Sequence, residues 1–324
     1  MKPLISVIIP THNAEKFIRE AVESIIRQTY SHLQILILDD ASSDATLSIV
    51  EKLADPRIEI YRSSVNKGQS YQLNLGIEHS KGDYISVMHA DDVANSDKLE
   101  KQIEFLNDHP EVGICGCHVN LIGDKKGLWT YPLHSRQCKD MLLNTPPFAH
   151  PAVLIRKNVL DKIPSPYDLQ MVAAEDYDLW VRLATVTEFG NVQEALLNYR
   201  IHPQQISQVR KVQEDQAVFE IRTRLVGRFF RIEDREQIRL AVKAVYYPED
   251  VSTAQVIASI ALLWKQNKKF AFFTRSCLRG TFRHRLFEAF SATPFSKRLR
   301  ILLTSKPLLE ITYPKTLLRL LAVK

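Results

Sequence analysis

The sequence predicts an α/β fold, in which a mostly parallel sheet is flanked by helices and followed by an α-helical C-terminal region. Two observations predict it. Over the first 107 residues, short apolar runs alternate with segments whose apolar residues recur every three or four positions. From about residue 210 onward only the second, helical pattern continues. Alternation of strands and helices is typical of a parallel sheet with helices on both faces.

The N-terminal part contains four predicted pairs of a strand and a helix. Most of these strands are short apolar runs, as is typical of strands buried on both faces of a sheet. Each helix has an apolar stripe, and in the first helix Phe17, Ile18 and Ala21 lie on it. Ser96 is positioned to cap the fourth helix. The predicted strands are residues 4–9, 34–38, 57–61 and 84–88, and the predicted helices are residues 14–27, 44–54, 69–79 and 97–107.

The rest of the chain changes character near residue 210. Mixed strands and one helix precede this point, and only helices follow it. We therefore predict an α/β domain over residues 1–210 and a helical, basic region over residues 211–324. The predicted later strands are residues 112–117, 128–131, 152–156 and 195–199, and the predicted later helices are residues 177–185, 212–230, 232–246, 253–265 and 270–279. Short basic segments containing Pro294, Pro307 and Pro314 follow.

The chain of 324 residues has a formal net charge of +6, and this charge is unevenly distributed. Residues 1–210 contain 21 Lys and Arg against 27 Asp and Glu, whereas residues 251–324 contain 14 against 2. In the basic tail, arginines alternate with phenylalanines between residues 270 and 290. This pattern suits an anionic membrane surface better than nucleic acid, for which no binding fold is visible. A solvated helical bundle is the alternative.

Several classes of protein are excluded at this stage. The apolar content of 45% excludes a mainly disordered chain. The four cysteines form no CxxC pair, so neither a zinc site nor a disulfide framework is expected. The apolar run at the N-terminus is too short for a signal peptide, and no apolar run reaches the length of a membrane span. We expect a cytoplasmic protein whose membrane contact, if any, is peripheral.

Polar side chains follow all four N-terminal strands. In open α/β sheets ligands bind at the carboxyl ends of the strands, so these side chains are expected in one crevice. Two of the strand ends, at residues 39–44 and 89–92, are acidic. Clustered carboxylates need a cation between them, and a divalent metal that also binds a phosphate supplies it. No GxGxxG and no GxxxxGK[ST] is present, which leaves metal bridging of a diphosphate as the remaining way to hold phosphates.

Six segments together resemble family 2 glycosyltransferases, whose GT-A fold contains a Rossmann-like sheet. The resemblance covers about residues 3–205, and the segments follow one another in the order of the family. They are residues 6–13, 39–44, 66–76, 82–92, 175–180 and 199–202. Processive members carry a Gln-x-x-Arg-Trp motif, but none of the three tryptophans here follows an arginine. The resemblance therefore implies a non-processive enzyme, which transfers one sugar per acceptor.

The resemblance implies a nucleotide-sugar pocket at the strand ends. Pro10, Thr11 and Asn13 would line it, and Asp39 and Asp40 would hold the base and the ribose. A UDP-sugar is the expected donor, with dTDP and GDP left open. The nucleotide-sugar-binding residues that the resemblance implies are Pro10, Thr11, Asn13, Asp39, Asp40, Asn66, Gly68, Asn74, Asp92 and His202.

The resemblance also implies the chemistry. Asp91 would bind Mn or Mg, which bridges the donor diphosphate, while Asp92 would support the donor sugar or the metal. Asp176 would act as the general base on the acceptor hydroxyl, in a single displacement with inversion, and Glu175 would orient the base or the acceptor. The expected acceptor is a glycan or a lipid-linked glycan in cell-surface polysaccharide synthesis, at the inner face of the membrane. A hexosyl or N-acetylhexosaminyl group is the expected cargo.

His89 departs from the family pattern, which has Asp at the first acidic position. A histidine there can ligate Mn, contact the diphosphate, or merely be tolerated. The alternative function is therefore a catalytically weakened sugar-nucleotide-binding protein that docks at the membrane. A nucleotidyltransferase is disfavoured, because the chain has no glycine-rich basic loop after the first strand.

Three further side chains have competing interpretations. His150 is either part of the acceptor side or a satisfied loop residue. Trp180 is either a core residue or a platform on which an acceptor sugar stacks. Arg200 is expected to pair with an acid of the site.

Overall fold

The computed structural model describes residues 2–205 and 209–291, together with residue 311. The described chain divides into two compact units, and the division falls between Ala217 and Val218. The short basic segments with Pro294, Pro307 and Pro314 lie outside the described residues.

Among the described residues, the first unit contains nine strands, seven complete α-helices and one 3-10 helix at His150–Ala152. Its strands are β1 (Ile5–Thr11), β2 (Leu33–Asp39), β3 (Ile58–Arg62), β4 (Tyr84–Val87), β5 (Val93–Ala94), β6 (Val112–Gly123), β7 (Gly127–Trp129), β8 (Leu154–Arg156) and β9 (Glu188–Ile201). Its helices are α1 (Ile18–Ile26), α2 (Thr46–Glu51), α3 (Gln69–His79), α4 (Lys98–Asp108), α5 (Ser135–Met141), α6 (Lys157–Leu160) and α7 (Glu175–Leu183).

All nine strands belong to one sheet, whose order is β3-β2-β1-β4-β8-β6-β9-β5, with β7 paired to β6. The first four strands of this order are parallel, as the strand–helix alternation predicts. The strands β1 and β2 are buried along nearly their whole length, which explains why their sequences are continuous apolar runs. Each fully buried isoleucine or leucine there stabilises the fold by roughly 2 kcal/mol. The α/β class with a mainly parallel first half is therefore confirmed.

The second half of the sheet is mixed. The strand β8 runs antiparallel to both β4 and β6, while β9 runs parallel to β6. The strand β9 has 14 residues and is much longer than the predicted strand over residues 195–199. The strand β9 is longer than its own sequence pattern predicts because β6 pairs with it over most of its length. The sequence analysis also missed α5, α6 and β5, which are short and show little periodicity of their own.

The helices after residue 210 are α8 (Lys211–Phe230), α9 (Arg235–Tyr246), α10 (Thr253–Phe270) and α11 (Arg275–Ser291). The side chain of Asp234 caps α9 by accepting a hydrogen bond from the Gln237 amide, and Ser252 with Gln255 forms a capping box at α10. The prediction of a helix over residues 270–279 is wrong. The helix α10 continues to Phe270 and ends where Ala271 adopts a left-handed conformation, so the last helix begins only at Arg275.

The aromatic residues of the tail are mostly core residues of the second unit. Phe273, Phe282 and Phe290 are buried, and Phe272 stacks on Phe229 with ring centroids 3.7 Å apart. Phe287 is exposed. The alternation of phenylalanine and arginine therefore reflects packing of a helical bundle more than a lipid-facing surface. In the described part of the chain, none of the helices has the length and apolarity that crossing a membrane requires.

Candidate active site

The carboxyl ends of β1, β2 and β4 meet at one edge of the sheet, because these strands are parallel neighbours. Thr11, the last residue of β1, pairs in register with Asp39, the last residue of β2. The segment with His89, Asp91 and Asp92 follows β4 at the same edge. The topology thus brings together side chains that the sequence separates by up to about 80 positions.

At the ends of β1 and β2, two buried oxygen atoms have no hydrogen-bond partner within the protein. They are Thr11 Oγ1 and Asp39 Oδ1, and both side chains are buried. The other Asp39 oxygen, Oδ2, accepts a hydrogen bond from the Ser42 amide at 3.2 Å and lies 4.0 Å from Arg62 Nε. A buried carboxylate oxygen without a donor is costly to leave unsatisfied. Asp39 is therefore ready to accept a hydrogen bond from a ligand.

Asp40 is adjacent to Asp39 in sequence, but both of its carboxylate oxygens already accept hydrogen bonds from the protein. Its Oδ1 accepts hydrogen bonds from the Lys67 amide and from Gln72 Nε2, at 2.8 and 2.7 Å. Its Oδ2 accepts from the Gly68 amide at 2.8 Å. Three donors occupy this carboxylate, which fastens the loop before α3 to the end of β2.

The other residues of the expected nucleotide pocket lie either near the end of β1 or in and before α3. Pro10 precedes Thr11 in β1, and Asn13 adopts a left-handed conformation with its Oδ1 accepting from the Ser43 amide at 2.9 Å. Asn66 is exposed in the loop before α3. Asn74 lies on α3 and uses its whole amide group on the backbone of Tyr167, at 2.7 and 3.0 Å. Asn74 therefore holds the segment around Tyr167 against α3.

The acidic segment after β4 forms a compact cluster. One ligand atom from each of His89, Asp91 and Asp92 lies within 4.8 Å of the others. Asp92 is buried, and its Oδ2 has no hydrogen-bond partner but lies 3.6 Å from His89 Nδ1. Burial, together with the neighbouring carboxylate of Asp91, raises the pKa of Asp92 well above its usual value. The charges of Lys98 and Arg200 oppose this rise of the pKa only in part.

The end of β9 holds this cluster from the other side. The Arg200 amide donates to Asp92 Oδ1 at 2.8 Å, and Arg200 Nε donates to the backbone oxygen of Asp91. The guanidinium group itself pairs with Glu20 at 2.6 Å, so the acid that Arg200 neutralises lies on α1 and not in the cluster. His202 Nε2 lies 2.9 Å from Asp91 Oδ2. The motif at residues 199–202 thus positions the acidic segment.

The donor set fits a divalent cation. It combines two carboxylates with an imidazole, and one of its buried carboxylate oxygens is unsatisfied by the protein. Burial lowers the pKa of the His89 imidazole, which favours the neutral form in which histidine binds metals. Carboxylates and imidazoles are common ligands of Mn, and carboxylates of Mg.

His150 extends the cluster into the protein. Its Nδ1 lies 3.3 Å from His89 Nε2, and its Nε2 lies 2.9 Å from the Tyr167 hydroxyl. Burial lowers the pKa of His150 well below its usual value. Both ring nitrogens have partners, so the interpretation of His150 as a satisfied residue is confirmed. The histidine therefore links His89 to Tyr167.

The helix α7 carries the second acidic pair at its N-terminus. Burial raises the pKa of Asp176 to about 6, although the Tyr177 amide donates to its Oδ1 at 2.7 Å. Burial and the charge of Asp176 raise the pKa of Glu175 to about 7. A carboxylate whose pKa lies near neutrality is matched to proton transfer. Asp178 serves a structural purpose instead, because Arg182 Nε donates to it at 2.7 Å.

Tyrosines connect the two acidic pairs, and the sequence analysis did not single them out. Burial raises the pKa of Tyr199, and the charges of Asp91, Asp92 and Asp176 raise it further. Burial and Asp176 act on Tyr131 in the same direction. The charges of Asp91, Asp92 and Asp176 therefore all lie close enough to Tyr199 to raise the pKa of the same phenol. Tyr199 opens the segment 199–202 that resembles the family, whereas Tyr131 belongs to none of the six segments.

A buried lysine lies beneath the cluster and was also missed. Lys98 is completely buried, and its ammonium group donates to the backbone oxygen of Pro151 at 2.8 Å. Burial lowers its pKa to about 8, while the charges of Cys117 and Asp92 oppose this shift. Trp180 is also completely buried, so it is a core residue and not a stacking platform. The four cysteines are free and three are buried, as expected from their spacing.

Comparison with known proteins agrees with this geometry. The model of the family described as glycosyl transferase family 2 matches residues 6–164. An uncharacterized glycosyltransferase of Haemophilus influenzae is 32% identical over 234 residues, which are 68% of this chain and 72% of that protein.

Two solved structures share the fold. S. aureus TarS 1-349 in complex with UDP-GlcNAc superposes with a TM-score of 0.61 at 15% identity, over 88% of each chain. The mannosyltransferase PcManGT of Pyrobaculum calidifontis, in complex with GDP-Man and Mn2+, superposes with a TM-score of 0.57 at 17% identity, over 99% of this chain and 86% of that one. With its acidic strand ends, its sheet topology and its sequence relatives, the chain belongs to glycosyl transferase family 2.

Proposed function

We propose that this glycosyltransferase moves one sugar from a nucleotide-diphosphate sugar, UDP-linked by preference, to a hydroxyl group of a glycan or lipid-linked acceptor. The observation that carries the proposal is the presence of two acidic groups, one suited to a metal after β4 and one with a raised pKa at the start of α7, which both act on Tyr199. Expected specificity is for a hexosyl or N-acetylhexosaminyl group. Synthesis of a cell-surface polysaccharide, at the inner face of the membrane, is the proposed setting.

The donor nucleotide is assigned to the ends of β1 and β2. Asp39 Oδ1 and Thr11 Oγ1 are unsatisfied by the protein and are suited to polar atoms of the base or ribose. Asp40 contributes by fixing the loop of Asn66 and Gly68, because its own oxygens are occupied. The solved TarS and PcManGT complexes, which contain UDP-GlcNAc and GDP-Man, support a nucleotide-sugar donor.

His89, Asp91 and Asp92 would hold Mn or Mg, with Asp91 as the principal ligand. When bound, the cation supplies positive charge to the donor diphosphate as it leaves. Arg200 and His202 keep the acidic segment in place through their contacts with Asp91 and Asp92. The protein's own contribution here is to hold the metal-binding side chains in position.

Asp176 is proposed as the general base. Its carboxylate accepts the proton of the acceptor hydroxyl as that oxygen attacks the anomeric carbon, and the bond to the nucleoside diphosphate breaks. Attack opposite to the leaving group inverts the anomeric configuration. With a pKa of about 6, Asp176 is ionised at neutral pH yet basic enough to take a proton. Glu175, with its higher pKa, orients the base or the acceptor.

The test replaces the carboxylate of Asp176 by an amide of nearly the same size and shape. In Asp176→Asn, we expect transfer to fall by about 10²–10⁴-fold, since a general base contributes that much. A thermal-shift panel of UDP-, dTDP- and GDP-sugars, with and without Mn, measures donor binding in the same variant. We expect selective stabilisation by one donor class, dependent on Mn and unchanged by the substitution. Asp161→Asn, at an exposed position, is the matched control.

Retained transfer in Asp176→Asn would refute the assignment of the base. A wild-type protein that binds a nucleotide sugar with Mn but neither hydrolyses nor transfers it would identify the alternative, a sugar-nucleotide-binding protein. A wild-type protein that binds no nucleotide sugar would overturn the proposed function as a whole.

A further inference from the structure

Trp129 differs from the other two tryptophans in its exposure. Its indole ring is 40% exposed, whereas Trp180 and Trp264 are buried in the cores of their units. It lies on β7, the short strand that the sheet carries beside β6. An exposed indole is an apolar surface with one polar atom, which is a common feature of recognition sites.

The neighbours of Trp129 connect it to the candidate active site. Its ring lies over Tyr199, with the centroids 5.2 Å apart and the planes inclined by 42°. The pairing of strands explains this contact, because Trp129 pairs with Val119 of β6 and Tyr199 pairs with Leu121 of the same strand. Tyr199 in turn lies within electrostatic reach of Asp176. The indole is therefore continuous with the side of the site that carries the proposed base.

A second phenol lies near the aromatic pair. The charge of Tyr131 contributes to raising the pKa of Tyr199, so the two phenols are neighbours. Tyr131 follows β7 and lies within electrostatic reach of Asp176. A pyranose ring has one face of C–H groups and a rim of hydroxyls. Aromatic rings beside phenol hydroxyl groups match that distribution.

We propose that Trp129 and Tyr199 form a stacking subsite for the pyranose ring of the acceptor. The subsite holds the acceptor sugar so that one of its hydroxyl groups faces Asp176. This inference rests on the proposed function and adds to it the chemical class and the location of the acceptor. Trp129 is a binding residue that acts on acceptor affinity, and the donor nucleotide lies at other strand ends, those of β1 and β2.

The experiment measures acceptor binding separately from donor binding. Acrylamide quenching of indole fluorescence is recorded for the full chain with UDP and Mn, upon addition of the p-nitrophenyl glycosides of glucose, galactose, mannose and N-acetylglucosamine. We expect at least one glycoside to protect the exposed indole of the wild type. In Trp129→Phe that protection signal disappears, because the other two tryptophans are buried.

Kinetics with the protecting glycoside complete the test. We expect Trp129→Ala to raise the acceptor KM about tenfold, which is the effect of losing one aromatic stacking contact, and Trp129→Phe to restore most of the affinity. The donor-induced thermal shift should be the same in both variants. Leu128→Ala, which removes an exposed apolar side chain from the adjacent position of β7, is the matched control and should leave the acceptor KM within twofold.

Two results would overturn the stacking subsite. One is the failure of every glycoside to protect the wild-type indole, and the other is an unchanged acceptor KM in Trp129→Ala. Failure of the proposed function has a different signature, since the wild type would then show no stabilisation by any nucleotide sugar. The donor panel therefore separates the two failures.

Discussion

The most informative single residues are the acids whose pKa values are raised. Glu175 is buried at the start of α7, next to the carboxylate of Asp176. Burial of a charge opposes folding, so such an acid is retained at a cost to stability that its function justifies. The cost has a definite dependence on pH.

The sign of that dependence follows from proton binding. The pKa of Glu175 is about 7 in the folded protein against an ordinary 4.5, so the folded state holds a proton that the unfolded state has lost between these values. The free energy of unfolding therefore falls as pH rises from about 5 to about 8. We expect Glu175→Gln, which cannot ionise, to gain stability relative to wild type over this range, by up to about 3 kcal/mol at pH 8.

Urea denaturation at pH 5 and pH 8 measures the effect. The exposed Glu51→Gln is a suitable control, because its charge is solvated in both states and its stability should follow that of the wild type. A difference between Glu175→Gln and wild type that is the same at both pH values would contradict the assignment of a raised pKa to Glu175.

At the scale of elements, the loop before α3 shows how the donor side is built. Gly68 precedes α3 with φ of 89° and ψ of 160°, a conformation that is essentially restricted to glycine. This conformation directs the amides of Lys67 and Gly68 to the carboxylate of Asp40. The end of β2 and the start of α3 are thereby joined at the place assigned to the donor nucleotide.

Gly68→Ala should therefore be strained although there is space for its methyl group. A Cβ atom at this position would have no neighbour within 4 Å, so any loss comes from the backbone alone. We expect a destabilisation of about 1–3 kcal/mol in urea denaturation, with weaker stabilisation by the nucleotide sugar. Gly127→Ala in the same unit, where φ is not positive, should change stability by less than about 1 kcal/mol. Equal stability of the two variants would show that the loop is not held in this conformation.

At the scale of the whole molecule, the N-terminal part and the C-terminal tail differ in the sign of their net charge. The N-terminal 210 residues are acidic, and the described part of the tail presents exposed cations at the end of α10 and the start of α11. These are Lys265, Lys268, Lys269 and Arg275. We propose that they attract an anionic membrane surface, where a lipid-linked acceptor lies. The support is electrostatic, because half of the described phenylalanines between residues 270 and 290 are buried in the core.

Vesicle binding tests this electrostatic contact. We expect the full chain to bind vesicles with anionic lipid and to dissociate as salt is raised, since surface charges are screened. The variant with Lys265, Lys269 and Arg275 replaced by Glu should lose most of this binding. A variant with Lys52, Lys125 and Lys126 replaced by Glu makes the same charge change in the first unit and is the matched control. Binding that is insensitive to salt, or equally reduced in both variants, would contradict the proposal.

Much of the fold was predictable because local patterns carried it. The apolar runs that became β1, β2 and β4 are strands buried by neighbours on both faces, and such strands need no alternation. The strand β9 was underestimated since its length depends on pairing with β6, which is a long-range contact. The start of α11 was misplaced since the break at Ala271 is a left-handed residue without glycine, which no local rule foresees.

The candidate site also has features that the local sequence predicts and features that depend on long-range contacts. The sequence alone determined that acids stand at the ends of β2 and β4 and at the start of α7, because strand ends and motif order are local properties. Only the tertiary structure decided what each acid does. It left an oxygen of Asp39 unsatisfied while it saturated Asp40, and it paired Arg200 with Glu20. Hydrogen-bond partners and burial depend on residues remote in sequence, so neighbours in the chain can have opposite roles.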